Sequence, residues 1–105
     1  MVLMKNLRDR IYECMALIPF GKVVTVKELA STCCKFRIGR MVKKEIKKMI
    51  NEKNIPWHRV VENNGLLLKN INIKERKEQQ DLLINEGVEI IKGKVDLYKY
   101  AFYYW

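Results

Sequence analysis

Histidine is almost missing from this sequence: His58 is the only one in 105 residues. Prolines number two, Pro19 and Pro56, and glycines five. No apolar run approaches the ~20 residues that cross a bilayer. Charge arrives early, at Lys5 and Arg8, so Met1–Leu7 does not read as a secretory leader. The three cysteines are Cys14 and the adjacent Cys33 and Cys34. An odd count with two neighbours is a poor disulfide framework, and reduced thiols in an intracellular protein are expected. Without a CxxC or a second histidine there is no zinc ligand set, and neither metal nor cofactor is expected. These absences exclude a membrane span, a disulfide-stapled secreted domain and a zinc enzyme. A chain of this length builds one domain with one modest core.

Acids are outnumbered, 12 against 21 lysines and arginines, for a net charge of +9. The excess is concentrated. Lys35, Arg37, Arg40, Lys43, Lys44, Lys47 and Lys48 face a single acid in that stretch, Glu45. Focused positive charge fits a polyanionic partner, nucleic acid ahead of a membrane or an acidic protein. A solvated helix face has the same composition, and charge alone does not separate the two.

Apolar periodicity predicts a first helix from about Lys5 to Ile18, with Leu7, Ile11, Cys14, Met15 and Ile18 on one stripe. Pro19-Phe20-Gly21-Lys22 ends it, and Val23-Val24 is extended. Thr25-Val26-Lys27-Glu28 has the form of a capping box, with Val24 placed to staple against Leu29, and opens a second helix over Val26 to Cys33. A third helix covers about Ile38 to Ile50. Ile38, Val42, Ile46, Met49 and Ile50 share one face, and the cations fall largely on the other. Two helices joined by a short turn, the second carrying the cations, make a helix-turn-helix. Asn63-Asn64-Gly65, between Arg59–Glu62 and Leu66–Lys69, predicts a hairpin through a type I′ turn. The sum is a mostly α fold with a small β-hairpin, a winged helix-turn-helix. Asn72-Ile73-Lys74-Glu75 predicts another helix start, with Leu82 and Leu83 in the core and Gly87 past the end. Val88–Ile91, Lys92-Gly93 and Val95–Leu97 predict a second small hairpin, and the aromatic tail from Tyr98 to Trp105 packs across the body.

Between the basic helix and the hairpin stands Ile55-Pro56-Trp57-His58-Arg59-Val60-Val61. Pro56 fixes its own φ and pushes Ile55 toward extended geometry. A wide aromatic and a titratable ring on a rigid link suggest a site, while simple packing of the indole is the competing reading.

Together these residues resemble the DNA-binding domain of O6-alkylguanine-DNA alkyltransferases, and more closely the alkyltransferase-like proteins that lack the reactive cysteine. The resemblance rests on Ile18-Pro19-Phe20-Gly21-Lys22-Val23-Val24-Thr25 with Glu28-Leu29-Ala30, and on the Arg37-x-x-Arg40 pair. It continues through Ile55 to Val61, Asn85-Glu86-Gly87 and Val95-Asp96-Leu97-Tyr98-Lys99-Tyr100. Active members have Pro-Cys-His-Arg-Val where this chain has Pro56-Trp57-His58-Arg59-Val60. The resemblance therefore implies that Trp57 stands at the reactive position, and an indole cannot displace an alkyl group. His58 and Glu86 match the pair that activates the cysteine, and their remaining role here is a structural contact. Cys33 and Cys34 lie outside this region with no histidine in sequence to activate them.

By the same resemblance Arg40 is the finger that enters the duplex and replaces a flipped nucleotide; an ordinary phosphate contact is the alternative. The lesion pocket is implied at Val26, Pro56, Trp57, His58, Val60 and Glu86, and backbone contacts at Thr25, Arg37, Lys43, Lys44 and Lys47. Three positions depart from the family pattern: Val26 for a tyrosine, Lys43-Lys44 for a small pair, and Met49 for the residue at the hinge of the pocket. The implied activity is non-enzymatic recognition of alkylated guanine in double-stranded DNA by a monomer, with nucleotide excision repair proteins as partners and no membrane. The expected place is the cytoplasm, on the nucleoid, or the nucleus of a eukaryote. A winged-helix protein that binds undamaged DNA, regulatory or architectural, is the second reading.

Overall fold

Helix α1 (Leu7–Ala16) begins at Asn6, whose side chain accepts the Asp9 N–H at 2.8 Å, and it buries Ile11 and Met15. The computed structural model describes residues 6–33, 39–52 and 54–104, so Lys5 and Ile38 at the expected helix starts lie outside it. Strand β1 (Val24–Thr25) leads directly into α2 (Val26–Cys33), and α3 (Gly39–Met49) follows. Helices α1, α2 and α3 pack on one another, with Leu29, Val42, Ile46 and Met49 fully buried between them. Val24 and Leu29, the expected staple, lie in this same cluster.

The Thr25 hydroxyl accepts the Glu28 N–H at 3.1 Å, which is half of the expected capping box. The other half is replaced: the Glu28 carboxylate accepts the Tyr104 N–H at 3.4 Å, and the Lys27 N–H finds the Asn63 side chain at 2.9 Å. A helix start leaves several N–H groups without intrahelical partners, and here a distant loop takes one of them.

That loop is where the structure departs from the sequence expectation. Strand β2 (Val60–Val61) pairs in parallel with β1, in the register Val24 with Val60 and Thr25 with Val61. It does not form an antiparallel wing with Leu66–Lys69. All of Val23, Val24, Val60 and Val61 are buried, as expected for a parallel pair covered on both faces. The Asn63-Asn64-Gly65 turn is not type I′, because only Gly65 has positive φ, at 93°. Asn63 is held by α2, and the Asn64 side chain accepts the Leu66 N–H at 3.1 Å. Leu66 then bridges to Lys94, and the Val95 N–H reaches the Gly65 carbonyl at 2.9 Å. A Cβ on Gly65 would lie 2.4 Å from the Val95 carbonyl oxygen, so this approach needs glycine.

Type I′ geometry occurs instead at Lys92-Gly93, both with positive φ, between β3 (Ile90–Ile91) and β4 (Lys94–Val95). The expected strand to Leu97 stops at Val95 because Asp96 caps α5 (Leu97–Tyr100). Helix α4 (Ile73–Asn85) opens with a complete capping box between Asn72 and Glu75. The tail crosses the body as expected: Val23 exchanges backbone bonds with Tyr100 and Phe102, and the Tyr104 hydroxyl donates to the Cys14 carbonyl at 2.7 Å. Among the described residues no helix is long and apolar enough to cross a membrane.

Candidate nucleic-acid interface

Helix α3 is amphipathic, and its buried face fixes where its cations point. With Val42, Ile46 and Met49 inward, Arg40 and Lys44 are exposed and have no ion-pair or hydrogen-bond partner among the described residues. Two other cations proposed for DNA contact are paired. Lys43 Nζ lies 2.7 Å from Glu62 Oε2, and the Lys47 ammonium is held by Glu75 at the start of α4. Thr25 is half-buried, its oxygen engaged as the α2 cap. Arg37 lies outside the described residues.

A cavity of about 450 Å³ opens between the first turns of α2 and α3, lined by Val26, Arg40, Lys43, Lys44, Glu62, Asn63 and Asn70 among others. Gly39 sits so close to Val26 that a Cβ would lie 3.3 Å from Val26 Cγ1. This contact seats the start of α3, and so Arg40, against α2.

Beyond the other end of α3, the Trp57 N–H closes back on the Ile55 carbonyl at 2.8 Å around Pro56, a tight turn that only a compatible φ allows. The 3₁₀ turn Trp57–Arg59 follows. The Trp57 indole is buried at 3% exposure, edge-on to the His58 ring. Gln79 of α4, fully buried, holds this segment from behind. Its amide donates to the Val60 carbonyl at 2.8 Å and the His58 carbonyl at 3.2 Å, and its oxygen accepts the Leu68 N–H at 3.0 Å.

Glu86 completes the anchor. Helix α4 ends in a Schellman motif: the Gly87 N–H bonds the Ile84 carbonyl, the Val88 N–H bonds the Leu83 carbonyl, and Gly87 has φ 88°. This places Glu86 at the C-cap, facing the 3₁₀ turn. Its carboxylate meets His58 Nε2 at 2.6 Å, Arg59 Nε and Nη2 at 3.0 and 2.8 Å, and the Gly21 N–H at 2.8 Å. Arg59 Nη1 also donates to the Ile18 carbonyl at 2.9 Å. Burial pushes the Glu86 carboxyl up, but the bonds from Arg59, His58 and Gly21 together outweigh it and hold it below the usual carboxylate range. Burial lowers His58 below its ordinary 6.5 despite the Glu86 contact. At neutral pH the imidazole is therefore uncharged and donates Nε2–H, so the true ion pair of this cluster is Arg59–Glu86.

Pro56, Trp57 and His58 line a second cavity of about 530 Å³, with Ile50, Glu52 and Leu82. The residues expected to share one pocket thus divide. Val26 faces the α2–α3 cavity with the cations, Pro56, Trp57 and His58 face the second, and Val60 and Glu86 are anchors behind the turn. No residue lines both cavities. His58 and Glu86, the pair implied by the resemblance, do meet, and Arg59, Gln79, Glu62 and Asn70 stand around these sites without having been expected there. Gln79 and Glu86 had a signal: with Leu82 and Leu83 they occupy i, i+3, i+4 and i+7, so two polar residues stand on the stripe that faces the core.

A family model described as "6-O-methylguanine DNA methyltransferase, DNA binding domain" matches residues 6–88. The chain belongs to this family. Within it, Alkyltransferase-like protein 1 of Schizosaccharomyces pombe is 32% identical over 96 residues, 91% of this chain and 89% of that protein. A DNA base-flipping protein of Escherichia coli is 30% identical over 97 residues, 91% of this chain and 74% of that protein. The solved structure of S. pombe Atl1 in complex with damaged DNA containing O6-carboxymethylguanine matches with a TM-score of 0.84 at 30% identity, over 96% of this chain and 98% of that one. The same organism's protein in a second DNA complex matches equally well, at 32% identity. The mostly helical fold with small strands expected from the sequence is the fold of these alkyltransferase-like family members.

Proposed function

We propose that this family member is a non-enzymatic sensor of alkylated guanine in double-stranded DNA. The observation that carries the reading is the match, over 96% of the chain, to a relative held on DNA with an O6-modified guanine. Helix α3 docks in the minor groove, Arg40 fills the space of a flipped nucleotide, and Lys44 meets a phosphate. Arg40 suits that role because its guanidinium is exposed and uncommitted among the described residues; a planar cation can stack on bases and bond the orphaned partner.

Trp57 takes the place of the reactive cysteine, so no alkyl group is transferred. An indole offers no nucleophile, and neither Cys14 nor Cys33 lines the cavities beside α3 or the 3₁₀ turn. The bound complex acts as a flag, read by nucleotide excision repair proteins in the compartment that holds the DNA. The Arg59–Glu86–His58 cluster keeps the Trp57 turn in shape.

The test is a titration of a Trp105→Phe variant, in which Trp57 is the sole indole, with O6-methylguanine and undamaged duplexes at one salt concentration. Tighter binding of the lesion, with an indole signal for the lesion alone, supports the reading. Equal binding with affinity set only by salt identifies a winged-helix protein that ignores damage.

A further inference from the structure

The cations on the outer face of α3 fall into two rows. Arg40 and Lys44 stand four residues apart on one, Lys43 and Lys47 four apart on the other, and the helical repeat sets the rows side by side. The first row is free of partners among the described residues. The second is closed by acids at the two ends of the segment Glu62–Glu75: Lys43 meets Glu62 at 2.7 Å, and Lys47 meets Glu75. From the same segment, the Asn70 side-chain amide donates to the Lys43 carbonyl at 3.0 Å.

Both carboxylates are fixed by backbone of their own segment. Glu62 Oε2 accepts the Lys69 N–H at 2.9 Å, and Glu75 Oε1 accepts the Asn72 N–H at 3.0 Å. The acid side chains are only 14% and 15% exposed. A lysine stem can swing, but these acids are not free to withdraw. A duplex seated on the Arg40–Lys44 row brings its phosphates against the Lys43–Lys47 row. To bond one, a lysine must leave or share its carboxylate, which then stands as a largely buried anion beside the phosphate.

We infer that Glu62 and Glu75 mask Lys43 and Lys47 and so restrain binding to undamaged DNA. The inference rests on the reading of α3 as the DNA-docking face. Non-specific affinity is a sum of phosphate contacts. Each acid withholds one such contact, which weakens the hold on the undamaged duplex that competes with every lesion.

The experiment measures binding of wild type, Glu62→Gln and Glu75→Gln to an undamaged duplex across a salt series. Glutamine keeps the acceptor for the Lys69 N–H, and it serves in a capping box as glutamate does, so both variants retain the local fold. Each is expected to bind at least about threefold more tightly at low salt, with log K falling against log salt more steeply by about 0.9. Adding Lys43→Gln to Glu62→Gln removes that gain. Asp81→Asn on α4, which breaks the exposed Lys77–Asp81 pair, controls for the added unit of net charge and is expected to leave the slope unchanged. Unchanged or weaker binding by both glutamine variants, or an equal gain in Asp81→Asn, overturns the inference and leaves DNA docking through α3 intact. Wild-type binding that Arg40→Ala and Lys44→Gln do not weaken overturns docking through α3, and the inference with it.

Discussion

Glu86 and Arg59 form a forked contact, Oε1 with Nε at 3.0 Å and Oε2 with Nη2 at 2.8 Å, in which a helix C-cap holds the turn that carries Trp57. Both side chains are largely buried. Removing one partner leaves a buried charge, whereas removing both does not. Glu86→Ala is expected to destabilise the fold by about 3 kcal/mol, and adding Arg59→Met is expected to recover part of that loss. Urea unfolding of the two single variants and the double variant measures the coupling; purely additive losses would show that the fork contributes nothing.

His58 makes the cluster readable by pH, since it is the chain's sole histidine and gives an isolated NMR signal. Its folded pKa is expected below 6.5. The unfolded chain then takes up the proton first as pH falls, so this contribution is full above 6.5 and is lost as pH drops through the folded value. Glu86, also depressed when folded, holds its contribution above its ordinary 4.5 and loses it below. Stability should therefore decline in two windows, and His58→Gln should flatten the upper one. Because Glu86 raises His58, Glu86→Gln is expected to lower the histidine pKa further, which the same NMR titration follows.

Gln79 satisfies three backbone groups from inside the core. Gln79→Leu preserves volume but leaves those groups without their partner, at about 1–3 kcal/mol for each one left unsatisfied. A loss of about 3 kcal/mol or more in thermal or urea unfolding is expected. Exchange of the Leu68 amide hydrogen should also accelerate relative to neighbouring amides.

Arg40→Ala separates a finger from a phosphate contact. The finger role predicts that preference for an O6-methylguanine duplex falls by about tenfold or more, since flipping costs a few kcal/mol that the inserted side chain offsets. A phosphate role predicts uniform weakening and a salt slope lower by roughly one. Fluorescence anisotropy across a salt series distinguishes them.

The helices were legible because their signals are local. The capping residues Thr25 and Asn72, the stripes of α1 and α3, and Gly87 all act within a turn or two of chain. The path of the chain after β2 was not legible. Asn63-Asn64-Gly65 carries a strong hairpin signal, but Asn63 is claimed by the start of α2, 36 residues away, and β2 finds a buried parallel partner in β1. The pairing of His58 with Glu86 came from resemblance, yet the third member, Arg59, is the very next residue after His58. Its guanidinium gains meaning only when α4 closes over the turn. Likewise the Lys43–Glu62 pair joins a helix to a loop that no periodicity connects.

The central claim, recognition without reaction, is tested most directly with a duplex labelled in the methyl group of O6-methylguanine, mixed with excess protein and undamaged competitor. The account predicts that the labelled duplex is retained preferentially and that all of the label stays on guanine. Label recovered on the protein, or labelled duplex retained no better than competitor, would contradict it.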